Sequence, residues 1–237
     1  MSVFRAIVFS AVVSGAIVGS LVTAAQQFGT VPLILKGEVY ERTADQAAAP
    51  SASPAPAAHE HGDHEHNEAA WEPKEGFERN AFTAAANILT AIGFALLLGG
   101  IFAVRGGSIT WHEGLLWGLS GFLVFTVAPG LGLPPELPGV PAAELGLRQV
   151  WWVATAAATA AGLGLLFLRR SPAAAVLGLC LIAAPHVIGA PHLEHAHTDV
   201  PATLSHQFVV AVTLTSLLFW ALLGSLTGII YKRFSAG

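Results

Sequence analysis

Six stretches of the chain are apolar over roughly the 20 residues a helix needs to cross the hydrocarbon core of a bilayer. They run over 4–27, 80–104, 112–131, 149–168, 172–190 and 206–231. The pattern predicts an all-α, polytopic membrane protein with about six transmembrane helices. The third stretch is the weakest, with Glu113 near its start and Pro129 near its end, and the fifth is short and carries Pro185 and His186 at one end. The first, with Arg5, an apolar centre and the small residues Ala24 and Ala25, has the outline of a cleaved signal peptide. Its apolar run is long for such a segment and continues into Gln26, Gln27 and Phe28 without a cleavage box, so it is read as a retained span.

Composition strengthens this reading. Of 237 residues, 54% are hydrophobic and only 11% charged, against about 25% charged in soluble domains. The whole chain, 1–237, is expected to be one integral membrane domain. Lys and Arg in short loops set the orientation. With the N-terminus in the cytoplasm, Arg5, Arg105, Arg169, Arg170, Lys232 and Arg233 fall inside, hard against helix ends. Lys36, Arg42, Lys74, Arg79 and Arg148 fall outside, diluted through acidic loops. Of the 15 carboxylates all but Glu113 are then outside, and of the 10 histidines all but His112. The even helix count brings the C-terminus inside as well, with Tyr231-Lys232-Arg233 as its anchor.

That sidedness puts the metal-ligating chemistry on the outer face. Within the outer loop 28–78, residues 44–58 are Ala/Pro/Ser-rich and read as a flexible linker, and linker and histidine tract together fill 44–70. His59, His61, His64 and His66 alternate there with Glu60, Asp63 and Glu65. Imidazole and carboxylate suit borderline divalent ions, here as a loose, fast-exchanging collector. The last outer loop places His186, His192, His195 and His197 among Pro185, Pro191 and Pro201, with Glu194 as an oxygen ligand and His206 opening the final helix. The prolines are expected to break the helix near the membrane surface. His186 should lie inside the apolar boundary, where an ionisable group points to a pathway. Glu38 and Glu41, just past the first helix, are placed to face the outer mouth. Asn87, Gln26, Gln27 and Gln149 are further polar groups near the membrane. Thr110 and Glu113 have the spacing of a capping box at the start of the third helix.

Other features narrow the field. Gly15/Gly19, Gly114/Gly118 and Gly224/Gly228 are Gly-x-x-x-Gly pairs that let helix backbones approach closely in lipid, within one subunit or in a homo-oligomer. There is no basic tract with interleaved aromatics for nucleic acid, and the single Cys180 excludes an internal disulfide. No phosphate loop, dinucleotide fingerprint, His-Glu-x-x-His or Gly-x-Ser-x-Gly occurs, so nothing marks an enzyme.

Three segments carry a resemblance. Thr30-Val31-Pro32-Leu33-Ile34-Leu35-Lys36-Gly37-Glu38-Val39-Tyr40-Glu41 resembles the CbtA family of probable cobalt transporter subunits. So do Ala128-Pro129-Gly130-Leu131-Gly132-Leu133-Pro134-Pro135-Glu136-Leu137-Pro138-Gly139, with Arg148-Gln149-Val150-Trp151-Trp152 after it, and Pro185-His186-Val187-Ile188-Gly189-Ala190-Pro191-His192, with Phe219-Trp220 beyond. The resemblance implies a multi-pass subunit for cobalt uptake in a prokaryotic inner membrane, with a small single-helix CbtB-type partner. Carried over by residue, it marks Glu38, Glu41, Glu136, His186 and His192. Cobalt comes from the resemblance alone, because such ligands bind nickel and zinc as well. The rival readings are a non-transporting metal-binding scaffold serving a partner permease, and a membrane metalloenzyme.

Overall fold

The computed structural model describes residues 2–48, 73–169, 171–193 and 197–235, and every element among them is a helix. Helix α1 is Val3–Phe28, α2 Val31–Ala48 and α3 Phe77–Arg105. Helix α4, Trp111–Phe122, passes through a π-helical turn, Leu123–Val127, into α5, Ala128–Gly132. Helices α6, Leu145–Leu168, α7, Pro172–Ile188, and α8, Ala202–Ser235, complete the chain. All six predicted stretches are helical. Five are long and apolar enough to cross a membrane, with α4, the π turn and α5 counting as one. The sixth, α7, has 17 residues, about 25 Å of helix against a core of about 30 Å.

Two expectations need correction. The region after α1 is not all loop, because α2 occupies its first half and takes in residues 44–48 of the expected linker. Nor does Pro185 break its helix. Helix α7 runs on to Ile188 and stops at Gly189, whose φ of 88° suits glycine.

Helices α1, α3, α4 and α8 form a four-helix body, while α6 and α7 pair with each other and meet that body at the π turn and α5. The core runs through Ala11 and Val18 of α1, Ala91, Ala95 and Phe102 of α3, and Leu223 of α8. Lipid is as apolar as leucine, so helices hold together here through close backbone packing. Gly15 and Gly19 lie against the backbone of Ile92 and Ile88 on α3. A Cβ added to Gly114 on α4 would strike the carbonyl oxygen of Gly224 on α8, and one on Gly224 that of Gly114. Gly162 and Gly178 join α6 to α7 in the same reciprocal way, with such a Cβ 2.6 and 2.7 Å from the facing carbonyl. All three Gly-x-x-x-Gly pairs are therefore buried inside one chain, and a second copy would have to dock on other surfaces.

Phe9 meets Phe234 and Phe102 meets Tyr231, so Arg5, Arg105, Lys232 and Arg233 gather at one end of the bundle. The same end holds the capping box at Thr110 and Glu113, and Glu113 also accepts from Arg105 at 2.6 Å. The positive-inside argument makes this the inner end.

Backbone contact of this kind is directly testable. Gly224→Ala should destabilise the detergent-solubilised protein on the order of 1–3 kcal/mol through overpacking. Gly100→Ala, with nothing within 4 Å of its new Cβ, should be neutral or gain up to about 1 kcal/mol of helix propensity. Thermal unfolding followed by tryptophan fluorescence distinguishes them.

Candidate functional site

At the outer end, α2 starts three residues after α1 stops, and the turn is closed by the Thr30 carbonyl accepting from Leu33 and Ile34. This folds α2 back so that Leu33, Ile34 and Tyr40 pack on Leu137, Val200, Leu204 and Phe208. Gly37 is where α2 meets the 134–139 segment, for a Cβ there would lie 3.2 Å from Pro138 and 3.3 Å from Leu137. Gly139, with φ +82°, sits against the backbone of Glu41. Its carbonyl accepts from the Thr198 hydroxyl at 2.9 Å, and that hydroxyl in turn accepts from the Val200 N–H. One cap is thus built from α2, residues 134–140 and residues 197–200.

Ion pairs pin the cap. Both oxygens of Glu38 accept from Arg79 at the start of α3, and Arg42 stands 3.7 Å away. Glu136 accepts from Arg148 at 2.7 Å. The carboxylate of Glu38, expected at the mouth as a ligand, is engaged by a guanidinium fork, a geometry that favours a fixed bidentate pair.

The histidines are spread along the same end. His186 is half-buried on the last turn of α7 and meets the edge of Trp151 at 5.9 Å between ring centres. Trp151 donates to the Pro185 carbonyl at 3.2 Å, which locks α6 to α7 beside it. His192, His197, His206 and Glu41 are exposed. Among the described residues, no three of His, Cys, Asp or Glu come together to hold a metal. His59, His61, His64, His66, Glu194 and His195 lie outside the described residues.

Deeper in the bundle, Asn87 of α3 donates to Thr23 at 2.9 Å and to Gln26 at 2.7 Å, both on α1. Gln27 donates to Asn80 at 3.1 Å. Asn87, Gln26 and Gln27 are therefore parts of interhelical clasps, whereas Gln149 is exposed. Sequence reasoning gave no site role to Arg79 and Trp151, the two residues that organise Glu38 and Pro185. Arg79 counted there only among the outer cations, and Trp151 only within a resemblance-bearing segment.

A family model described as probable cobalt transporter subunit (CbtA) matches residues 4–232, almost the whole chain. The chain belongs to the CbtA family. No curated protein and no solved structure matches it. CbtA membership, with the apolar helices, makes this a multi-pass membrane protein, consistent with a prokaryotic inner membrane, and assigns it to cobalt transport as one subunit. The resemblance-bearing segments 30–41 and 128–139 are also the ones that pack together in the cap.

If Glu38 acts through Arg79, charge exchange should be tolerated better than either single change. Glu38→Arg and Arg79→Glu alone should each lower thermal stability and metal uptake, and the double exchange should recover at least half of both losses. Recovery of stability without uptake would instead make Glu38 a metal ligand.

Proposed function

We propose that this CbtA-family chain captures a divalent cation, cobalt by family, at histidines of the outer face and passes it inward through the bundle. The observation that carries this reading is the placement of His186. It is a half-buried imidazole on the final turn of an apolar helix, six residues before the exposed His192 and at the end where the family segments form their cap. An ionisable group at the edge of an apolar span is placed to serve the mouth of a pathway. His195, His197 and Glu194 extend the set along the same loop, His206 adds to it from near the start of α8, Glu41 borders it from α2, and His59, His61, His64 and His66 act as a loose collector ahead of it. Nickel and zinc suit the same ligands, so cobalt preference has to come from geometry and supply. A CbtB-type single-helix partner completes the transporter. Glu38 serves the cap as the clamp on Arg79.

In cells dependent on this chain, His186→Ala and His192→Ala should each lower cobalt uptake at limiting metal. The loss should be at least the roughly tenfold to hundredfold that follows removal of a ligand's orienting partner. Unchanged uptake would remove both residues from the mechanism. Purified protein in liposomes separates the rival classes. Metal bound but never carried across, with or without the small partner, marks a scaffold, and one tightly held stoichiometric ion marks a metalloenzyme.

Ligand imidazoles must be neutral to bind metal. Protons and cobalt therefore compete for the imidazole nitrogens, and capture should fall as the outer medium is acidified. A profile flat from pH 7.5 to 5 would exclude histidine capture.

A further inference from the structure

A cavity of about 300 Å³ opens where α1, α3, the π turn, α6 and α8 converge. Asn87, on its wall, lies ten residues beyond the start of α3 at Phe77, about 15 Å along the axis, which sets the cavity in the outer half of the bundle. Its polar lining is Gln26, Asn87, Thr90, Thr126, Thr215 and Ser216. The rest is chiefly aromatic, with Phe94, Phe125 and Trp220 packed at 4.7–5.5 Å between ring centres and Trp152 stacked 6.1 Å from Phe125. Among the described residues, no histidine, carboxylate, lysine or arginine lines it.

The hydrogen bonds orient this lining. The Thr23 hydroxyl donates to the Gly19 carbonyl at 2.8 Å, so its oxygen can only accept from Asn87. That fixes the Asn87 NH₂ toward Thr23 and Gln26 and leaves its carbonyl oxygen with no bond among the described residues. The Thr126 and Ser216 hydroxyls likewise have no partner among the described residues. The π turn has a physical cause in Pro129, which has no N–H for the carbonyl of Phe125 four residues back. Such turns recur at functional sites, and this one brings Phe125 and Thr126 to the cavity wall.

We infer that this charge-free cavity is a passage chamber for a divalent cation that keeps its water shell. The inference rests on the uptake reading above and adds how the ion crosses the outer half. Six shell waters at about 30 Å³ each occupy about 180 Å³, which fits. Amide and hydroxyl groups bond those waters, and the packed aromatic rings give the cavity a fixed wall. With no carboxylate or imidazole to replace water, the ion is held weakly enough to leave, as conduction demands.

The test uses the full chain in cells. Ser216→Cys, in a Cys180→Ser background, should react with a charged, membrane-impermeant thiol reagent from outside. Leu214→Cys, 60% exposed on the lipid side of the same helix, should not. The conservative pair Thr126→Val and Ser216→Ala, which spares the Asn87 clasp, should lower cobalt uptake about tenfold or more at an unchanged level of protein, since each lost hydrogen bond is worth about fivefold. Labelling with reduced uptake supports the chamber. An unreactive Ser216→Cys overturns it as dry, and labelling with unchanged uptake overturns it as wet but off the route. If cells show no cobalt uptake dependent on the wild-type chain, the uptake reading itself falls, and the passage falls with it whatever the labelling.

Discussion

Backbone contact between α4 and α8 is the constraint on which the rest of this structure depends. Two helices in lipid gain nothing from burying leucine against each other, so they need another reason to stay together. Gly114 and Gly224 supply it by removing the side chains that would hold the backbones apart, and α1 does the same against α3 with Gly15 and Gly19. Trp220 lies one turn before Gly224, and its backbone carbonyl lies where a Cβ on Gly118 would have to go. The close approach therefore also carries the Trp220 ring onto Phe125 in the π turn. The aromatic wall of the chamber follows from the glycine seam.

Above that seam, the outer end is held by different forces. The cap uses a small apolar cluster around Leu137 and Phe208, a glycine at a positive φ and ion pairs at Glu38 and Glu136. The Glu136 pair stays within reach of water, while the mostly covered Glu38 has both oxygens matched by Arg79. The ion pairs also sort the carboxylates by task. Glu38 and Glu136 are matched by arginines, whereas Glu41 remains exposed beside the loop that carries the histidines.

In the proposed reading, ligand strength falls along the same axis: imidazoles at the mouth would catch a dilute ion, and neutral oxygens in the cavity would let it go. A strong ligand at depth would trap the ion. Asn87 shows why composition alone misleads here, since its amide clasps two helices while the same residue lines the cavity.

The sequence by itself determined the helical spans, their orientation, the capping box at Thr110 and the family. The first three depend on local sequence or on the simple cost of placing polar groups in hydrocarbon, which acts residue by residue, and the family on the ordered segments at 30–41, 128–139 and 185–192. Helix α2 escaped because it is short of apolar residues and owes its stability to packing on the cap. Tertiary structure alone decided that Glu38 belongs to Arg79, that Pro185 is held by Trp151, and that Thr126, Ser216 and Asn87 share one cavity. Those partners lie between 34 and 129 positions apart in the chain, and only the crossing of helices through their glycine faces brings them together.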